Sequence, residues 1–174
     1  MIIAYIPLRL NSSRIYQKNF SICGGKSLYE WIFEKLLFLK RKNFFSKIYV
    51  DYDNKNILNL VKKEYKNEFI FFKREMDLIK KDTTIIPLLD SFINKYNLEN
   101  EVIFQTHVTN PLLSQDTIEN SIKYYFKNKI ESLASVTAIK KRFYTYSGSP
   151  INHNPKELIQ TQDLIPILEE NSCI

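Results

Sequence analysis

Residues 2–19 read IIAYIPLRLNSSRIYQKN, a short apolar run that passes directly into a polar and cationic segment. An apolar run of this length, bounded by a polar loop, is typical of a buried strand in a parallel sheet. We therefore predict a strand over residues 2–7 and a loop from Leu8 to about Lys26. Open parallel sheets bind ligands at the carboxyl ends of their strands, so this loop is the first place to expect a site.

The rest of the chain alternates short apolar runs with amphipathic segments. Ser27 and Glu30 have the spacing of a capping box, and apolar side chains then repeat at helical intervals to about Leu39. Further strands are predicted over 47–53, 69–72, 102–105 and 132–139, and further helices over 54–65, 82–96 and 114–128. This alternation predicts an α/β fold with a mostly parallel, doubly wound sheet and helices on both faces.

The composition is that of a globular protein. The chain has 174 residues, of which 44% are hydrophobic and 25% charged, and this suits a single domain over residues 1–174. No run approaches the roughly 20 apolar residues of a membrane span, and the N-terminus is not typical of a signal peptide. We therefore expect a cytoplasmic protein without a membrane partner. The two cysteines and two histidines form no metal-ligand pattern.

The net charge of +6 is compatible with compositional bias or with an anionic ligand. Basic residues do not cluster with interleaved aromatic residues, and no helix-turn-helix or zinc-finger spacing occurs, so no nucleic-acid partner is expected.

The loop after the first predicted strand has the chemistry of a phosphate site. Its cations and the short polar residues between them are Arg9, Arg14 and Lys18, with Asn11, Ser12 and Ser13. Such a loop can turn backbone N–H groups toward an oxyanion while the cations offset the charge of a polyphosphate. It matches neither GxGxxG nor GxxxxGK[ST], which disfavours a dinucleotide dehydrogenase or a P-loop ATPase. A solvated surface loop with scattered charge is the alternative.

Polar residues also follow other predicted strands. Residues 107–111 follow the fourth strand, and Lys140 to Arg142 follow the fifth. The run SPINHNP at 149–155 offers donors and acceptors that suit a polyol, or it forms a set of Asx turns. The cations after the fifth strand bind an acidic group or form a solvated charged run.

The segment IPLRLNSSRIYQKN resembles the N-terminal signature of the cytidylyltransferases that make CMP-activated acidic sugars, roughly I-P-A-R-x-x-S-x-R-x-x-x-K-N. Five further segments resemble later blocks of that family in the same order: GGKSLYEWIFEKLL, IYVDYDNKNI, KREMDLIKKDTT, THVTNPLLSQDTI and TQDLIPILEENSCI. The best-fitting branch is the acylneuraminate (CMP-sialic acid synthetase) type. The sister branch that activates 3-deoxy-manno-octulosonate usually has an acidic residue where Asn110 stands.

The resemblance implies a Rossmann-like nucleotidyltransferase fold and a reaction of CTP with a 2-keto sugar acid that releases pyrophosphate. It further implies Mg²⁺, a role in surface polysaccharide synthesis, and a homodimer as an option. In the family an arm precedes the last block, and here residues 143–168 occupy its place as a short arm for dimerisation or acceptor binding.

The resemblance also implies roles for individual residues. Arg9 and Lys18 match the catalytic, triphosphate-binding cations. The other matches on the nucleotide side are Asn11, Ser12, Ser13, Arg14, Asn19, Arg74, Asp82 and Thr83. Arg74 falls on the arginine that reads the pyrimidine edge, whereas Asp82 could instead cap its helix. On the acceptor side we expect His107, Thr109, Asn110, Arg142 and His153.

Departures from the family pattern leave the acceptor open. His107 stands where the family has a glutamine and Asn110 where it has a serine, so His107 is a hydrogen-bonding group, a base near neutral pH, or a structural residue. One alternative is a cytidylyltransferase for a phosphorylated or non-sialic polyol. Another is a non-catalytic nucleotide-binding domain, because the family's metal-binding carboxylates lie past residue 174. The metal ligands are therefore unknown, and the final ENSCI resembles the start of a strand.

Overall fold

The computed structural model describes residues 2–12, 14–80, 82–157 and 159–174. The chain divides into two compact units, the first reaching Glu131 and including Ile174, the second spanning Ser132–Cys173. That the whole chain acts as one domain stays a prediction. Among the described residues, no helix is both long enough and apolar enough to cross a membrane.

The first unit is built on a parallel sheet. The strands of the first unit, inside and outside this sheet, are β1 (Ile2–Leu8), β2 (Ile22–Cys23), β3 (Lys26–Ser27), β4 (Lys47–Tyr52), β5 (Ile70–Lys73) and β6 (Val102–Gln105). Its helices are α1 (Leu28–Arg41), α2 (Ile57–Leu60), α3 (Lys63–Glu68), α4 (Ile85–Tyr96) and α5 (Gln115–Asn128), and 3₁₀ turns occupy Lys18–Phe20 and Met76–Leu78. The central sheet has the order β5-β4-β1-β6 with every pairing parallel, which confirms the predicted fold class.

The central strand β1 is buried on both faces, as its uninterrupted apolar sequence predicts. Ile3 and Tyr5 belong to a core cluster that includes Phe72 and Phe92. The ring centroids of Tyr5 and Phe92 lie 4.7 Å apart, and those of Phe72 and Phe92 5.6 Å apart. Because such aromatic pairs add to the free energy of burial, this cluster fixes α4 against the sheet.

A second aromatic group holds α1 and α3 against the other face of the sheet. Phe33 of α1 lies 5.0 Å from Phe69 and 6.4 Å from Phe71, measured between ring centroids. Tyr65 of α3 packs edge-on against Phe33 at 5.4 Å. Phe71 and Phe72 are adjacent in β5, and adjacent strand residues point to opposite faces, so helices cover both faces of the sheet.

Local sequence signals explain where the helices begin. Ser27 is the N-cap of α1, and its N–H donates to Oε1 of Glu30 at 3.4 Å, which confirms the capping box. Ser114 caps α5 by accepting the N–H of Thr117 at 3.0 Å. The N-cap of α4 is Thr84, so Asp82 does not cap this helix.

The prediction of one continuous helix over residues 54–65 is wrong. The segment forms two short helices separated at Val61, which is buried and extended rather than helical. The N–H of the next residue, Lys62, donates to the hydroxyl of Tyr29 at 3.2 Å. This bond to a side chain of α1 replaces a bond within the helix.

The second unit contains strands β7 (Val136–Ile139) and β8 (Ile167–Glu170), with a 3₁₀ turn over Thr161–Asp163. The two strands form their own antiparallel sheet, in which Val136 pairs with Glu170. The expectation that 132–139 adds a fifth strand to the parallel sheet is therefore wrong. β8 ends at Glu170, and residues 171–174 follow it.

Candidate functional site

A cavity of about 620 Å³ lies at the carboxyl ends of the parallel strands of the first unit. Its wall comes from the segments that follow β1, β4 and β6 and from the approach to α4, as expected for an open parallel sheet. The lining residues used below are Arg9, Asn11, Ser12, Lys18, Asn19, Asp53, Lys80, Thr83, His107 and Thr109.

Two cations of the loop after β1 face this cavity. Nη2 of Arg9 donates to the carbonyl oxygens of Lys80 at 3.1 Å and Thr83 at 3.4 Å. Neither Arg9 nor Lys18 takes part in an ion pair within the described residues. Their charges are therefore not neutralised by the protein's own acids, and an anionic ligand would meet them as free cations.

Two side chains fold the loop back onto the end of β1. Nδ2 of Asn19 donates to the carbonyl oxygen of Arg9 at 2.8 Å. Oδ1 of Asp53, which follows β4, accepts the backbone N–H of Leu10 at 2.9 Å. These bonds fix the backbone on both sides of Arg9 and so bring Arg9 and Lys18 to one cavity. Asn19 is 8% exposed, and its buried Oδ1 has no hydrogen-bond partner among the described residues.

A buried polar group lies at the adjacent strand ends. Nε of Arg74 donates to both carboxylate oxygens of Asp51, at 3.2 and 3.0 Å, and the Tyr5 hydroxyl donates to Oδ2 at 2.7 Å. Burial raises the pKa of the Asp51 carboxyl against the opposing effects of Arg74 and Tyr5. Arg74 is 3% exposed, and its Nη1 and Nη2 have no hydrogen-bond partner among the residues that the structure describes.

The segment after β6 brings a histidine to the cavity. Nε2 of His107 lies 3.1 Å from Nε2 of Gln105. Burial, with a smaller effect from nearby Lys18, lowers the pKa of the imidazole, so the neutral ring is favoured near neutral pH. The loop turns at this point, because the N–H of Asn110 donates to the carbonyl oxygen of His107 at 3.3 Å.

The predicted site residues divide into groups. Those that line the cavity are Arg9, Asn11, Ser12, Lys18, Asn19, Thr83, His107 and Thr109. Among the residues that the structure describes, those outside its wall are Arg14, Arg74, Asp82 and Asn110. Arg14 and Asp82 are exposed, whereas Arg74 is buried. Ser13 lies outside the described residues. The roles of all these residues stay predictions.

Two predicted acceptor residues belong to the second unit. Nη2 of Arg142 donates to the carbonyl oxygen of Ile159 at 2.5 Å. Nε2 of His153 lies 2.9 Å from the hydroxyl of Tyr144, and the two rings meet edge to face. Both side chains thus have contacts that order their own unit, and their acceptor roles stay predictions.

Two residues of the cavity wall, Asp53 and Lys80, were not among the site residues predicted from the sequence. Asp53 accepts the N–H of Leu10 and also lines the cavity. Its position after a predicted parallel strand was the signal that could have identified it. No sequence pattern marked Lys80 in this way, because Lys80 lies in a segment whose path the sequence does not specify.

The fold and the cavity together define the class: a Rossmann-like α/β unit with a cationic cleft at the carboxyl ends of its parallel strands. The model of one protein family, described as cytidylyltransferase, matches residues 3–173. The chain belongs to this cytidylyltransferase family. No curated protein sequence matches it significantly.

Solved structures with this fold include several cytidylyltransferases. The chain is similar to a CMP:2-keto-3-deoxy-manno-octonic acid synthetase complexed with CTP, with a TM-score of 0.61, 16% identity, and coverage of 79% of this chain and 53% of that one. A cytidylyltransferase from Leptospira borgpetersenii gives a TM-score of 0.54 at 19% identity, covering 74% of this chain and 50% of the other. The 4-diphosphocytidyl-2C-methyl-D-erythritol synthase of Anaerococcus prevotii gives 0.55 at 11% identity, covering 97% and 68%.

These identities establish the likeness of fold alone. The chain spans about half the length of the first two of these structures. The sequence favoured the sialic-acid branch. The family match assigns the chain to the cytidylyltransferases and does not distinguish between branches of that family.

Proposed function

We propose that this chain binds CTP through the loop after β1 and transfers its cytidylyl group to an acidic sugar of the 2-keto acid type, with release of pyrophosphate. The observation that carries this proposal is that Arg9 and Lys18, which form no ion pair within the described part of the chain, line the same cavity as His107 and Thr109. One cavity of about 620 Å³ therefore offers cations for a triphosphate beside neutral polar groups for a second substrate.

In the proposed reaction an acceptor hydroxyl oxygen attacks the α-phosphorus of CTP. The bond from that phosphorus to the bridging oxygen breaks, pyrophosphate leaves, and the hydroxyl proton passes to solvent water. Such transfers depend on positioning and on the stabilisation of negative charge. Arg9 and Lys18 supply that positive charge. Asn19 and Asp53 fix the loop that carries them, through the carbonyl oxygen of Arg9 and the N–H of Leu10.

The resemblance to the family implies a bound Mg²⁺ ion, and the cavity wall offers few ligands for it. Asp53 is the single acidic residue in the wall among those described, and the described residues contain no cluster of three or more metal-ligating side chains. Mg²⁺ is commonly held by one or two carboxylates together with substrate phosphates. We propose that Asp53 supplies the protein's carboxylate and CTP the remaining charge. Bound there, Mg²⁺ would offset charge on the phosphates.

Arg74 remains the proposed reader of the cytosine edge. Cytosine presents O2 and N3 as acceptors, and Nη1 and Nη2 of Arg74 are donors without partners. Because Arg74 is 3% exposed, a base would have to move neighbouring groups in order to meet these donors.

The acceptor defines the alternatives. A phosphorylated or non-sialic polyol is favoured by His107 and Asn110, which differ from the glutamine and serine that the acylneuraminate pattern has at these positions. A neutral histidine can donate to a hydroxyl or accept from it. A non-catalytic nucleotide-binding domain is the other alternative.

The test is pyrophosphate release by the purified protein with CTP, Mg²⁺ and a panel of acceptors. The panel contains sialic, legionaminic, pseudaminic and octulosonic acids and a polyol phosphate. Release that requires one of the sugar acids, with a CMP-sugar as product, supports the proposal. A product that carries two phosphates selects the polyol phosphate, because its own phosphate is then retained.

Two controls complete this test. ATP, GTP and UTP replace CTP to establish base preference, and omission of the acceptor measures simple hydrolysis. Tight CTP binding by calorimetry without turnover on any acceptor would select the non-catalytic alternative. No measurable CTP binding would contradict the proposal altogether.

A further inference from the structure

The contact between Gln105 and His107 constrains the chemistry of the histidine. Gln105 is the last residue of β6, and its amide Nε2 lies 3.1 Å from Nε2 of the His107 ring. An amide nitrogen is only a donor, and a neutral imidazole has one N–H and one acceptor nitrogen. With the amide in this orientation, Nε2 of His107 accepts and Nδ1 carries the hydrogen.

The surroundings of the ring favour its neutral form. The ring is half-buried in the cavity wall, and Lys18 is the charged neighbour whose field lowers its pKa. Gln105 brings no charge of its own. A doubly protonated ring would direct its Nε2–H at the amide N–H₂ of Gln105, so that two donors would face each other. This conflict and the positive charge of Lys18 both oppose protonation of the ring.

Nδ1 is the ring atom left for a ligand. Among the described residues, no hydrogen bond to Nδ1 of His107 is present, whereas Nε2 is engaged. A neutral ring in this tautomer offers one N–H and no free acceptor nitrogen. It suits an oxygen of the acceptor, such as a carboxylate or carbonyl oxygen, and it is unsuited to removing a hydroxyl proton.

We propose that Gln105 is a positioning residue that holds His107 as the neutral Nδ1–H tautomer, so that His107 meets the acceptor as a hydrogen-bond donor and not as a general base. The donor role rests on the proposed function, whereas the tautomer is a property of the free protein. The opposite amide orientation would place Oε1 against the ring, require Nε2–H, and leave Nδ1 as a base.

Long-range ¹H–¹⁵N NMR correlation on ¹⁵N-histidine protein at pH 8 tests the tautomer without any substrate. The chain has two histidines, so a His153→Gln variant assigns the signals of His107. The expected spectrum shows a protonated Nδ1 and an unprotonated Nε2. A protonated Nε2, or a ring protonated at both nitrogens, would overturn the proposal.

Two variants of Gln105 provide matched controls. Gln105→Glu replaces the donor with a carboxylate that only accepts, so the tautomer should change to Nε2–H. Gln105→Leu removes both groups and should give a mixture of tautomers or the Nε2–H form that free imidazole prefers in water. An unchanged spectrum in both variants would show that Gln105 does not set the tautomer. Backbone amide spectra establish whether each variant is folded.

Kinetics test the donor role separately. In Gln105→Glu the KM for the acceptor should rise about two- to tenfold, the value of one neutral hydrogen bond, while the Kd for CTP changes less. An unchanged acceptor KM contradicts the donor role. If no acceptor binds the wild type, the proposed function fails and the donor role fails with it, while the NMR spectrum still decides the tautomer.

Discussion

Arg74 and Asp51 form an ion pair at the ends of neighbouring strands, with side chains only 1% and 2% exposed. Nε of Arg74 lies 3.2 and 3.0 Å from the two carboxylate oxygens, and Tyr5 donates to the same carboxylate. The two remaining guanidinium nitrogens are buried and have no partner in the described ranges of the chain. The pair is therefore incompletely satisfied, and each charge depends on the other.

We predict that Asp51→Asn will strongly destabilise the fold. This substitution leaves the buried guanidinium of Arg74 without a compensating charge, and breaking a buried pair costs about 3–5 kcal/mol. Urea denaturation should show a decrease of this size in the free energy of unfolding. Replacing both residues, as in Asp51→Asn with Arg74→Met, should restore part of the loss because no unpaired charge remains.

The exposed pair between Arg41 and Glu68 is the matched control. Its N···O distance is 3.8 Å, and Arg41 is 63% exposed. Arg41→Ala should therefore cost less than about 1 kcal/mol in the same measurement. Equal losses for the buried and the exposed substitutions would contradict this account of the Asp51–Arg74 pair.

We predict that Arg9→Ala will weaken CTP binding with little effect on folding. A hydrogen bond to a charged group contributes about 1.5–3 kcal/mol, so the Kd should rise by about ten- to a hundredfold. Calorimetry measures the Kd, and the thermal midpoint without ligand reports folding. Lys18→Ala should have an effect in the same direction, because Lys18 lines the same cavity.

Lys47→Ala is the charge-matched control for these variants. Lys47 is exposed and begins β4, so it lies at the amino end of a strand, away from the carboxyl ends that form the cavity. Loss of equal affinity in Lys47→Ala would mean that net charge, and not the loop, attracts CTP. Arg14→Ala tests the predicted role of a residue that is exposed and outside the cavity wall.

The sequence predicted the two central strands of the sheet well because these strands are buried on both faces. Strands with two buried faces have apolar runs that are easy to recognise, as in β1 and β4. The capping residues Ser27 and Ser114 were equally visible, since caps are short-range features.

Features set by tertiary contacts were not visible. The break at Val61 depends on the Tyr29 hydroxyl, which lies 33 residues before Lys62 in the chain. The partner of β7 is β8, about 30 residues later, and alternation of side chains does not specify whether a strand pairs in parallel or antiparallel. The burial of Arg74 likewise depends on its ion pair with Asp51, which lies 23 residues earlier in the chain.

We predict that Asp53→Asn will change the dependence of CTP binding on Mg²⁺. Asn can still accept the N–H of Leu10, so the loop should keep its shape. If Asp53 supplies a metal ligand, the Kd for CTP should rise in Mg²⁺ and stay unchanged or fall in EDTA, where one repulsive charge has been removed. Calorimetry under both conditions checks this. An equal weakening under both conditions would indicate a role for Asp53 in loop structure alone.

We predict that His107 makes the stability of the fold depend on pH in one direction. Burial and Lys18 lower the pKa of His107 in the folded state, so the unfolded chain binds a proton more readily. The stabilisation from the neutral ring is thus present above the ordinary histidine pKa and is lost as the pH falls through the lower, folded-state value. Urea midpoints measured from pH 8 to pH 5 should decrease more in the wild type than in His107→Gln, which has no imidazole to protonate. Parallel curves for the two proteins would contradict the lowered pKa and remove one support for a neutral His107 in the cavity.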